Sequence, residues 1–239
     1  MKVAVITPIY RNPLGMAATL GSVLTQTYQD ILHIIVTPDD VNVPQDVVVL
    51  KRKPKGVYDA INQGIKCALA QGAELIQVLN GGDVYATPDT IKWVVNTLQE
   101  HEEADFLYAH VHIGRRDYRA SADLRSMLRR GIAPPHPSLF IRSAVMKSIG
   151  NYDVQYALAA DFDLFMRLQE SGVNGVYRDV TVVLMEPGGV SARFLNRLIN
   201  NNLEKYRIMK QHGITTPSLR LAMRYMFLIP QWFRYKKRF

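Results

Sequence analysis

The chain has 239 residues, 48% hydrophobic and 21% charged, which is enough for one large α/β domain with an extension. Its single cysteine, Cys67, excludes a disulfide framework and a CxxC metal site, and no apolar run reaches the roughly 18 residues of a membrane span. The formal charge of +8 is uneven, with six basic and no acidic residues from Leu219 to Phe239.

Val3 to Thr7 reads as a core strand with no targeting segment before it, so a reducing, cytosolic setting is expected. Leu14 to Gln26 carries a helical pattern, with Pro13 near its first turn. Leu32 to Val36 and Val47 to Leu50 read as strands. Val57 to Ala70 is helical, with Ile61, Ile65, Ala68 and Leu69 on one face. Leu75 to Leu79 is a fourth strand and Pro88 to Leu98 another helix. This β-α-β order predicts a mostly parallel, Rossmann-like sheet covered by helices on both faces.

The second half reads differently. Asp105 to Ile113 is a strand, followed by the basic stretch Arg115-Arg116-Asp117-Tyr118-Arg119 and a helix from Leu124 to Arg130. Pro134-Pro135-His136-Pro137 breaks the chain. Ser138 to Arg142 is a short strand, Asp161 to Glu170 a helix, and Val176 to Leu184 a last strand. Phe194 to Lys210 is a long helix, and a basic tail follows. We expect a main domain over 1–192 and C-terminal helices with an amphipathic tail over 193–239.

Two carboxylates stand out. Asp83 follows the apolar run Leu75-Ile76-Gln77-Val78-Leu79 and the turn Asn80-Gly81-Gly82. Open α/β sheets bind ligands at the carboxyl ends of their strands, and the glycines let the backbone turn tightly beside a ligand. A lone fixed carboxylate there suits a hard divalent cation bridging phosphate oxygens. It equally suits a cap on the helix near Pro88. Asp161, in Ala159-Ala160-Asp161-Phe162-Asp163-Leu164, opens a helix, where capping and the macrodipole both favour an anion. His110 and His112 share one face of a strand, which fits half-exposed strand histidines better than a metal site. His136 fits a loop or an acceptor pocket equally.

Several motifs occur together in order. They are Val5-Ile6-Thr7-Pro8-Ile9-Tyr10-Arg11-Asn12, Ser22-Val23-Leu24-Thr25-Gln26-Thr27-Tyr28, and Lys55-Gly56-Val57-Tyr58-Asp59-Ala60-Ile61-Asn62-Gln63-Gly64. Asn80-Gly81-Gly82-Asp83, Asp161-Phe162-Asp163-Leu164 with Arg167-Leu168, and Gly188-Gly189-Val190-Ser191 follow. On these motifs residues 2 to 192 resemble a family 2 glycosyltransferase of the GT-A fold, of the kind that assembles bacterial surface polysaccharides.

The resemblance implies an inverting transfer of a sugar from a nucleotide-sugar donor to a hydroxyl of a glycan or lipid-linked acceptor. It implies Asp161 as general base and Asp83 as ligand of a manganese or magnesium ion. It implies donor contacts from Thr7, Pro8, Tyr10, Asn12, Asp39, Lys55, Asp59, Asn62, Asn80 and Gly82. Three positions depart from the family pattern. Ala160 replaces a glutamate, Thr37-Pro38-Asp39-Asp40 replaces the usual acidic loop, and Tyr108-Ala109-His110 ends in an imidazole where a carboxylate is usual. A sugar-phosphate nucleotidyltransferase would share the sheet but needs a glycine-rich first loop, which Pro8 to Pro13 lacks. A non-catalytic module holding nucleotide-sugar or membrane is the other reading. The basic tail predicts docking on the cytoplasmic membrane surface or, as the alternative, a C-terminal helix packed on the domain with a solvated basic end, with nucleic acid not expected as a partner.

Overall fold

The computed structural model describes residues 1–114, 116–185 and 194–224. The chain opens with β1 (Val3–Pro8), α1 (Pro13–Leu24), β2 (Ile31–Thr37), β3 (Val48–Lys51), α2 (Val57–Ala70) and β4 (Leu75–Val78). These strands pair in parallel in the order β3-β2-β1-β4. Every residue of β4 is buried. A strand covered on both faces has no reason to alternate, so it reads as a nearly continuous apolar run. Its one polar member, Gln77, donates a hydrogen bond of 2.7 Å to the Pro137 carbonyl, which satisfies the buried amide and ties β4 to the proline-rich turn. On α2, Ile61 and Ile65 are fully buried, each worth about 1.5–3 kcal/mol of transfer energy. Gly64 lets this helix approach β1, because a Cβ there would stand 2.4 Å from Ile6 Cγ2.

The second half weaves back through the same sheet. It contains β5 (Val84–Tyr85), α3 (Thr90–Glu100), β6 (Phe106–Ile113), β7 (Arg116–Tyr118), α4 (Leu124–Arg129), a 3-10 turn (His136–Ser138) and β8 (Leu139–Arg142). Then come α5 (Ser143–Ile149), α6 (Ala160–Glu170), β9 (Gly175–Met185) and α7 (Phe194–Gln211). β8 inserts antiparallel between β4 and β6, β9 runs parallel to β6, and β5 lies antiparallel on β9. The sheet is therefore mixed, with its longest ladders parallel. One face packs against α2, α6 and α7, the other against Ile91, Val94 and Leu98 of α3.

Some expectations need correction. β5 and β7 are too short for a two-residue period to register. α5 follows β8 directly, with no capping side chain to announce it. α3 begins at Thr90, not at Pro88. The Pro88 carbonyl instead accepts from Thr27 N–H at 2.9 Å, and Thr90 Oγ1 accepts from Thr87 N–H at 3.1 Å. His110 is buried, not half-exposed. Its Nδ1 accepts from Ala120 N–H at 2.9 Å and its Nε2 lies 2.6 Å from Asp179, beside the register shift between β6 and β9. The first residues of the basic segment pack on the body. Residues 217–224 are helical, and Leu221 and Arg224 are buried. Residues 225–239 of the expected membrane tail and Gly188-Gly189-Val190-Ser191 lie outside the described residues.

Candidate active site

At the carboxyl end of β4 the chain turns through Asn80-Gly81-Gly82-Asp83. Gly82 has φ +107°, a conformation favouring glycine. Gly81 sits so close to Ile9 that a Cβ would lie 2.2 Å from Ile9 Cδ1. α1 clamps this turn. Thr19 Oγ1 accepts from Gly82 N–H at 2.9 Å and donates to the Asp83 carbonyl at 2.8 Å, and Gly82 N–H also reaches the Gly15 carbonyl at 3.1 Å. Asp83 does not cap α3, whose N-cap is Asp89. Its carboxylate is buried and accepts from Asn80 Nδ2 at 3.1 Å.

Asn80 links this turn to the second carboxylate. Its amide also lies 3.0 Å from His136 Nε2. The other ring nitrogen of His136, Nδ1, faces Asp161 Oδ2 at 3.9 Å. Asp161 stands in the first turn of α6 with its side chain 25% exposed. Burial raises its carboxyl pKa, but the His136 hydrogen bond and charge, Lys205 and the Phe162 N–H together outweigh this and hold it below the usual carboxylate range. The opening beside these groups is a cavity of about 330 Å³, bordered by Pro8, Tyr10, Asn12, Tyr58, Asn80, His136 and Leu158.

α7 supplies supports that the sequence patterns did not reveal. Glu204 accepts from three successive backbone amides, Ala157 at 3.1 Å, Leu158 at 2.9 Å and Ala159 at 2.8 Å. These residues form the cavity rim and the N-cap of α6, so a carboxylate from a distant helix satisfies the amides of the turn that leads into α6. Lys205 donates to the Gly131 carbonyl at 2.9 Å and lies 5.0 Å from the Phe162 ring. Burial, then the nearby Arg224, lower its pKa to about 8 against the attraction of Asp161. Ala160, which stands where a glutamate was expected, is fully buried. Support for Asp161 thus comes from His136 and from α7. An adjacent Glu-Lys pair on an amphipathic helix looks in sequence like a solvated face, and only the docking of α7 reveals its use.

Asp163, two residues on, has another role. It is buried and pairs with Arg167 Nε at 2.8 Å and with His212 at 3.5 Å. Arg167 in turn donates to the carbonyls of Ile149, Gly150 and Asn151. This carboxylate fastens α6 to its surroundings and is not among the residues that line the cavity.

The other expected donor residues divide into two groups. Pro8, Tyr10, Asn12 and Asn80 border the cavity, and Gly82 shapes its floor turn. Asp39 accepts from the N–H of Arg11 at 3.0 Å, holding that residue at φ +48°. Asp59 accepts from Lys55 N–H at 2.8 Å, closing the first turn of α2. Thr7 is buried against His33 at 2.9 Å. Asn62 holds the Tyr152 backbone through both of its amide atoms. The last two side chains are engaged away from the cavity lining. His110 is likewise committed to Asp179, Tyr177 and Ala120.

No protein-family model matches the chain. It is 28% identical over 179 residues to a PGL/p-HBAD biosynthesis glycosyltransferase of Mycobacterium bovis (strain BCG / Pasteur 1173P2), covering 69% of this chain and 68% of that one. An uncharacterised glycosyltransferase of Mycobacterium tuberculosis (strain CDC 1551 / Oshkosh) is 29% identical over 180 residues, with 69% and 68% covered. Among solved structures, residues 1–349 of S. aureus TarS in complex with UDP-GlcNAc superpose with a TM-score of 0.68 at 13% identity, over 98% of this chain and 79% of that one. Against the longer S. aureus TarS chain this protein spans 43% of the length. The mannosyltransferase PcManGT from Pyrobaculum calidifontis, in complex with GDP-Man and Mn2+, gives a TM-score of 0.62 at 12% identity, over 96% and 74%. The chain has the GT-A fold and is similar in sequence to bacterial glycosyltransferases, as the family 2 resemblance of its motifs implied.

Proposed function

We propose that the protein is an inverting glycosyltransferase that moves a sugar from a nucleoside-diphosphate donor to a hydroxyl of a lipid-linked or polysaccharide acceptor, in the assembly of a surface glycan at the inner membrane face. One observation carries the reading. A largely buried aspartate, kept ionised by His136 and Lys205, stands behind His136, which lines a cavity together with Asn80 and Gly81 of the strand-end turn of a GT-A sheet. The acceptor oxygen attacks the anomeric carbon as its bond to the diphosphate oxygen breaks. The electron pair leaves with the diphosphate, and the hydroxyl proton passes to Asp161. Because that carboxyl is held below its usual range, the base stays ionised through neutral pH, and turnover falls only in the acid range.

Among the described residues no group of three His, Cys, Asp or Glu side chains is placed to hold a metal ion. A cation shared with substrate phosphates needs only one or two protein carboxylates, and Asp83, a hard oxygen donor at the strand end, fits that demand. A bound manganese or magnesium ion would neutralise charge on the departing diphosphate. Tyr10, Asn12 and Asn80 border the space for the donor, and Asp39 and Lys55 lie in the adjoining loops. No helix among the described residues is long and apolar enough to cross a membrane.

The test is a panel of nucleotide-sugars, scored for thermal stabilisation with and without manganese and for release of nucleoside diphosphate. Stabilisation by one donor together with diphosphate release supports the reading. Release of pyrophosphate would make the protein a nucleotidyltransferase, and stabilisation with no release a binding module.

A further inference from the structure

Away from the donor cavity, α4 and the 217–224 helix border a cleft of about 430 Å³. Its lining includes Arg125, Arg129, Arg130 and Arg220, against a single acidic residue, Asp123. The Asp123 carboxylate is already engaged as the N-cap of α4, accepting from Ser126 N–H at 2.8 Å. Arg125 and Arg129 stand one turn apart on the same short helix, a like-charge spacing that is unfavourable in isolation. Planar guanidinium groups converging in this way suit phosphate oxygens, which they grip two at a time.

The 217–224 helix that carries Arg220 also exposes apolar side chains. Leu219 and Met223, one turn apart and flanking Arg220, are 59% and 43% exposed. Apolar side chains beside clustered cations characterise surfaces that lie in the headgroup layer of an acidic bilayer, with the cations on phosphates. The sequence continues the same chemistry. Between 225 and 239 there are four basic residues, six aromatic residues and no acidic one.

We propose that the arginine cleft between α4 and the 217–224 helix binds the phosphate headgroups of anionic phospholipid and docks the protein on an acidic membrane surface. The proposal rests on the membrane part of the proposed function and on none of its chemistry. It assigns docking to folded residues of the body, in addition to the basic tail.

The experiment is flotation of the full chain with vesicles of phosphatidylcholine alone and of phosphatidylcholine doped with phosphatidylglycerol. Binding is expected to the doped vesicles only, and to fall as salt rises. R129Q/R220Q should weaken it roughly thirtyfold, about fivefold for each charge removed, while R129K/R220K, which keeps the charges and loses the paired grip, should weaken it less. A thermal melt of each variant confirms folding. Flotation of R129Q/R220Q equal to the unaltered chain would overturn the proposal and leave docking to residues 225–239. Thermal stabilisation by inorganic pyrophosphate that R129Q/R220Q loses, without vesicle binding, would overturn it in favour of a soluble anion. Retention on RNA without vesicle binding would do so in favour of nucleic acid. If the vesicle results hold while no donor releases diphosphate, the transferase reading falls and the docking surface stands.

Discussion

The Asn80–Asp83 side of the cavity and the side nearest Asp161 differ in which half of the chain supports them. The first is held by Gly15 and Thr19 of α1 and by its own glycine turn, all within the parallel first half of the chain. The second depends on His136 in the 3-10 turn, and on Glu204 and Lys205 of α7. The first side is thus completed when the parallel strands pair, while the second is completed only when the C-terminal helix docks. The general lesson is that a position can be announced by a local motif while its electrostatics are tuned from elsewhere.

The largest expected effect breaks the second side at its centre. Asp161→Asn should leave the fold intact and lower diphosphate release by roughly two to four orders of magnitude. Near-normal release would remove Asp161 from the chemistry.

Asp163→Ala sharpens the contrast between neighbouring carboxylates. It strands Arg167, whose fork otherwise joins Asp163 to three backbone carbonyls. Chemical denaturation should show a loss of roughly 3 kcal/mol, with activity per folded molecule largely kept. Unchanged stability together with lost activity would exchange the roles of Asp161 and Asp163.

Glu204→Gln tests the reach of α7. One acceptor oxygen is lost from a carboxylate that holds three amides of the cavity rim. Turnover should fall roughly ten- to a hundredfold through misplacement of Asp161, with donor affinity little changed. Donor affinity falling in step with turnover would instead make the rim part of the donor site.

His212 gives the smallest effect. Its hydrogen bond to Asp163, opposed by burial and aided by Glu170, raises its pKa above the ordinary 6.5. A raised histidine contributes stability that is fully present below the ordinary value and lost as pH climbs through the raised one. Melting temperatures of the unaltered protein should therefore decline through that window. His212→Asn should flatten the decline, and an identical slope in the variant would remove His212 from the fastening of α6 to α7.

The same contrast explains what could be read in advance. Val57–Ala70 and the strands of the first half were legible because helical and buried-strand patterns run there without interruption. The positions of Asp83 after β4 and of Asp161 in the first turn of α6 were legible because each sits at an element end beside a recognisable motif. His136 was left open between loop and pocket, since nothing local says that Gln77 anchors its turn to β4. Thr7 and Asn62 fell inside the right motifs, yet their side chains serve His33 and Tyr152. Glu204 and Lys205 carried no signal, because their partners lie some forty residues or more away.

The central claim is a single displacement across the cavity, with Asp161 taking the acceptor proton opposite the departing diphosphate. It is tested most directly by letting water serve as acceptor and reading the anomeric configuration of the released sugar by NMR before it equilibrates. The configuration is expected to be opposite to that of the donor, with release suppressed in Asp161→Asn. A sugar released with the donor's own configuration would require two successive displacements and would contradict the account.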